Sequence, residues 1–177
     1  MSRLASTGSS VSISNKGKRV TSSALANSQG LAVFDLSRFD KQIFSKGEFA
    51  FELNGANTVI FNVDEASLSF ASNFLNGSAT QLGGKAIWNF YNASSLNISN
   101  QFGGTILAPL AKLTHHSSIE GSVLVNQLDQ RGKINLHKFT GDITSAVPEA
   151  QSSAMLLAGL VLVTRAVRRR PVQKTRA

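Results

Sequence analysis

The residues best suited to chemistry in this sequence are few and poorly grouped. His115 and His116 are adjacent, and neighbouring residues on a strand point to opposite faces, so the two imidazoles cannot hold one metal ion without a bulge. They read as polar residues on an exposed turn. The stretch GSATQLGGKA, residues 77 to 86, contains Gly-Gly-Lys, yet Ala79 stands where a phosphate-cradling loop needs its first glycine and Ala86 where it needs Ser or Thr. Asp64, Glu65 and Asp129 could contribute carboxylates to a calcium site, but no oxygen-rich loop surrounds them. No serine sits in a nucleophile elbow, and the absence of cysteine removes disulfides and thiolate-metal sites. Asn76, Asn92 and Asn97 head Asn-x-Ser sequons. The expectation is a protein with no catalytic, cofactor-binding or metal-ligating residues, and so not an enzyme.

The elements that would position these side chains read as strands. NTVIFNV, KAIWNFY, GTILA, GSVLVN and KINLHKF are short, rich in β-branched and aromatic residues, and bounded by Gly, Asn and Ser. A short turn of helix fits DLSRFDKQIF; no other part of the body has a 3.6-residue period. The body is therefore expected to be all-β.

The strands also repeat. Setting VIFNVDEASLSF over AIWNFYNASSLNI aligns Asn62 with Asn89, Ala66 with Ala93 and Leu68 with Leu96. Continued down the chain, the same phase reaches Leu107-Ala108, Val125-Asn126 and Ile134-Asn135, and so predicts Phe61, Trp88 and Val125 stacked in register. Units this short cannot bury their own apolar face, and stacking solves the problem in a β-solenoid, a parallel β-helix-like body. Asn62 and Asn89 are placed to stack as an amide ladder. A β-sandwich with evenly spaced strands is the competing architecture. Pro109 cannot donate to a strand ladder and marks a strand end or corner; Gly103, Gly104, Gly121, Gly132 and Gly141 mark further corners.

Charge separates the body from its end. The chain has 177 residues and a net charge of +8, but Arg165, Arg168, Arg169, Arg170, Lys174 and Arg176 lie in its last stretch with no acid among them. The rest is close to neutral, which argues against a nucleic-acid-binding face. From Ala150 to Thr164 there is no charge. As a short C-terminal hydrophobic helix this run would span about 22 Å of a hydrocarbon layer of about 30 Å. Met155, Leu156, Leu157, Leu160, Val161 and Leu162 would form the apolar segment, with Arg165 snorkelling and Arg168, Arg169 and Arg170 as the basic stop on the cytoplasmic side. A buried core helix is the alternative. Pro148 keeps Val147 extended.

Two resemblances rest on these residues. Val147, Pro148 and Glu149, followed by the apolar run with Gly159 and the arginine cluster, resemble a PEP-CTERM sorting tail, with Ala150 where that tail's second proline belongs. The resemblance implies processing by an exosortase-type enzyme. Trp88-Asn89-Phe90, Ala93 to Leu96, Gly104 to Pro109, Ile119 to Val123 and Phe139 to Gly141 occur in the order of the choice-of-anchor A domain of bacterial surface proteins. That family resemblance implies a solenoid-like adhesive domain over residues 30 to 146, with polysaccharide or matrix as partners and the tail, 147 to 177, meeting the membrane. Residues 1 to 29 are Ser-rich, read as loose, and contain no apolar signal-peptide core. Because such proteins are exported through an inner-membrane-anchored intermediate to the surface, the chain is expected to be truncated or miscalled at its start. The competing function is a β-solenoid enzyme acting on polysaccharide, which would need carboxylates converging in a groove.

Overall fold

Strands form where β-branched and aromatic residues were concentrated, and nearly all of them pair in parallel. The computed structural model describes residues 6–14, 16–39, 43–44 and 46–143. These all belong to the first of two units, Met1–Ile143 and Thr144–Ala177. The C-terminal hydrophobic helix, Val147, Pro148 and Glu149, and the residues from Met155 to Arg170 lie outside the described residues. Among those described, no helix is long and apolar enough to cross a membrane.

The strands in chain order are β1 (Ser10–Ser14), β2 (Arg19–Ser23), β3 (Leu31–Asp35), β4 (Glu48–Glu52), β5 (Thr58–Val63), β6 (Ser67–Phe70) and β7 (Asn73–Phe74). A 3-10 turn (Leu75–Gly77) and helix α1 (Ser78–Gly83) follow. Then come β8 (Ala86–Phe90), β9 (Ser95–Ile98), β10 (Phe102–Gly103), β11 (Thr105–His115), β12 (Ile119–Glu120), β13 (Val123–Gln130) and β14 (Ile134–Asn135). Ile43 and Phe44 are helical, and the Ile43 amide donates to the Phe39 carbonyl at 2.9 Å, within the stretch whose sequence suggested a helical turn.

The chain winds through three sets of strands. One set is β3, β5, β8 and the first part of β11; a second is β6, β9 and the last part of β11; β13 pairs with both parts of β11. The third comprises β2, β4 and β7, with β10, β12 and β14 paired separately. All these pairings are parallel, which gives a mostly β, β-helix-like fold. Among the described residues only β1 runs antiparallel, along β2 from Ser10↔Ser23 to Ser14↔Arg19. Ser10–Ser14 and Arg19–Ser23 are thus strand, within the Ser-rich stretch that read as loose: alternating Val11 and Ile13 pair along the edge that β2 offers.

Short parallel strands with few polar interruptions, stacked turn on turn, leave a core that is largely aromatic. Phe34, Phe61 and Trp88 pair in successive strands. The Phe34 and Phe61 rings are 4.8 Å apart, and those of Phe61 and Trp88 are 4.1 Å apart at 17°. Trp88 is fully buried, and its indole Nε1 donates to the Gly103 carbonyl at 2.9 Å. Such stacking adds about 0.5 to 1.5 kcal/mol per pair beyond area burial. The column continues through Ile106 and Val123, not Val125 as the repeat predicted. Val125 pairs with Ala108, two residues on, because β8 to β11 steps by 18 residues and β11 to β13 by 17. Ile134 pairs with Ile119 in the third set of strands, so it does not continue that repeat at all.

Pro109 does sit at a corner. β11 pairs with β8 before it and β9 after it, and the register against β13 shifts between Ala108 and Lys112. Gly103 answers a different need, because a Cβ there would run into the Ala79 backbone of α1. The close approach of helix and strand requires the missing side chain.

Candidate binding face

Parallel pairing at constant register puts side chains two apart in one strand, and opposite each other in the next, onto one surface. On the β6–β9–β11–β13 set this makes two outward ranks. Ser67, Ser95, Lys112 and Gln127 form one rank; Ser69, Asn97, Thr114 and Asp129 form the other. All eight are exposed or half-buried. Strand geometry spaces the members of a rank by about 4.8 Å and the two ranks by about 7 Å. The inward residues between them, Leu68, Leu96 and Leu113, are buried and hold the ranks in place. The result is a polar lattice of hydroxyls, amides and a few charges, suited to many weak contacts with an extended ligand. Asp129 is held below the ordinary carboxylate range first by its hydrogen bond from Arg131, whose nitrogen lies 2.9 Å away. The pair is exposed and its stabilising effect is small.

The residues with chemical potential are scattered. His115 and His116 do point to opposite sides, but His115 is fully buried, in the inward column after Phe70 and Ile98. Its Nδ1 donates to the Ser117 carbonyl at 2.9 Å. This corrects the exposed-turn reading for His115, while His116 is exposed as expected. The Gly-Gly-Lys stretch lies at the end of α1 and the start of β8, where Ser78 to Gly83 is helix. Asp64 and Glu65 lie in the loop between β5 and β6 and Asp129 lies in β13; among the described residues no group of three His, Asp or Glu could hold a metal ion. Asn76, Asn92 and Asn97 are exposed.

The amide ladder is present: Asn89 Nδ2 donates to Asn62 Oδ1 at 3.0 Å, and both side chains are buried. A second polar cluster has no counterpart in the motifs above. Glu120 in β12 is buried, and its carboxylate accepts from Asn135 Nδ2 at 2.8 Å and Gln101 Nε2 at 3.1 Å, with His137 Nε2 at 3.1 Å. Burial pushes its pKa up, but hydrogen bonds from Asn135, Gln101, His137 and Ser118 outweigh that and hold it below the ordinary 4.5. The signal was the recurrence of an Ile followed by a polar residue, Ile119-Glu120 and Ile134-Asn135, which pair in register. With its carboxylate so fully engaged, Glu120 serves as an anchor for the closing segment.

Residues 1–136 match the family model described as a putative ice-binding-like adhesive domain, and the chain belongs to that family. No curated protein and no solved structure matches the chain.

Proposed function

We propose, from that membership, that this is an exported cell-surface or extracellular-matrix protein whose β-solenoid body is of the choice-of-anchor A kind. Its β6–β9–β11–β13 face adheres to polysaccharide or matrix, and residues 147–177 act as a PEP-CTERM-like sorting tail. The body works without catalysis, by avidity: each Ser, Asn or Thr contributes one weak contact, and the fixed spacing lets many form at once. The observation that carries the reading is the pair of exposed polar ranks built by constant parallel register.

Adhesion and sorting are tested separately. Replacing Ser95 and Asn97 with Arg alters two exposed positions in the middle of the face and leaves the buried leucines alone. Binding of the full chain to polysaccharide-coated surfaces should fall about tenfold or more; unchanged binding would refute the face assignment. For the tail, residues 142–177 fused behind a secreted reporter should hold it in the inner membrane, and a host with an exosortase should release or display it. Immediate secretion in both hosts would count against a sorting function.

A further inference from the structure

We infer that the outer surface of β2 and β4 carries a second site, a pocket for a single neutral pyranose unit; the inference rests on the adhesive reading and names a ligand class for it. The pocket has a volume of about 290 Å3 and lies where the outward side of these strands meets the 3-10 turn and α1. Its polar lining comes from Arg19, Thr21, Glu52, Asn76, Ser78 and Gln81, with Ala50, Phe51 and Leu75 as the apolar part.

The lining selects against ions. Arg19 and Glu52 bring one charge of each sign, and both are already engaged. Arg19 Nε donates to Glu48 Oε2 at 2.9 Å, and Glu52 Oε2 accepts from Ser23 Oγ at 2.6 Å. What is left is a set of amides and hydroxyls, together with the remaining guanidinium N–H groups and the second carboxylate oxygen. A ring of hydroxyls, each able to donate and accept at one atom, satisfies such a set, while Ala50 and Leu75 can meet the C–H face of the ring. Ser78 closes the floor of the pocket and is 4% exposed. The volume lies at the low end for small-molecule sites, which limits occupancy to one ring of a chain. The mouth is also preset: Asn76 and Gly77 both adopt left-handed conformations, with φ of 55° and 70°.

Ligand-observed NMR on the full chain, with the methyl pyranosides of glucose, galactose and mannose, tests the site. Glucuronate and glucosamine serve as charged counterparts. At least one neutral pyranoside should bind saturably. Replacing Gln81 with Ala and Asn76 with Gly, both exposed and the latter suited to its positive φ, should weaken that binding about tenfold or more without changing the melting temperature. The pocket is refuted if no neutral pyranoside binds, if the double variant binds equally well, or if charged sugars bind at least as tightly. The Ser95 and Asn97 variants keep the two claims apart. Pyranoside binding by a chain that adheres to no polysaccharide would overturn the adhesive reading and leave the pocket; adhesion without pyranoside binding would overturn the pocket alone.

Discussion

Trp88 sits where three demands meet: it stacks on Phe61, fills the aromatic core and spends its one donor on the Gly103 carbonyl. Trp88→Ala should cost about 3 to 5 kcal/mol in urea unfolding, because the cavity between fixed strands cannot collapse. A loss below about 1 kcal/mol would mean that the column is not packed as described. Asn89→Ala removes the donor to the buried Asn62 amide oxygen and should cost about 1 to 3 kcal/mol by the same measurement. Both residues were legible in the sequence, since Trp-Asn repeated Phe-Asn at a fixed distance in like surroundings. His115 was not. Adjacency with His116 says that the two rings oppose each other, but which one faces inward depends on Phe70 and Ile98, neighbours in other turns of the chain.

At the level of elements, the sequence carried strand identity well and register less well. The 27-residue step from Asn62 to Asn89 was readable because both strands keep the same aromatic-Asn pair. Beyond Asn89 the repeat lost its marker: Asn126 invited an alignment with Asn89, whereas the structure pairs Leu107 with Asn89 and Leu124 with Leu107. The slip is one residue in β11, where Ala108 was matched to Asn89, and two in β13; the first reverses which side chains face the core, and the second moves the strand along without turning it over. The role of α1 was hidden too, because it packs on Gly103, a residue that marks a corner in sequence without saying what approaches it. Gly103→Ala should therefore destabilise the fold by about 1 to 3 kcal/mol through overpacking. Hydrogen exchange should quicken first in Ser78–Gly83, and unchanged protection of that helix would show that its docking does not depend on the missing side chain.

On the scale of the molecule, the described residues end in a segment that runs back along the stack. Thr140 donates its amide to the Gly84 carbonyl at 2.8 Å, and the Asp142 amide donates to Thr58 Oγ1 at 2.8 Å. Thr58 opens β5, so contacts 84 residues apart in sequence tie late turns to early ones. The start of this segment is fixed by Glu120, which joins Gln101 from the preceding turn to Asn135 and His137 of the following one. Since the folded state holds the Glu120 pKa below its ordinary 4.5, folding favours the carboxylate. Its contribution is complete above about pH 4.5 and is lost as pH falls through the lower, folded value. Urea midpoints of the full chain should thus decline on acidification below that range. Glu120→Gln should lower the midpoint near neutrality, because an amide cannot accept charge-assisted bonds from the same donors. It should also flatten the acid decline, since the group that titrates is gone. Proteolysis should reflect the same linkage, with cleavage after Lys138 faster in the variant than in the parent at neutral pH. A variant that keeps both the parent's midpoint and its acid slope would show that the closing segment is held by Thr58 and Gly84 alone.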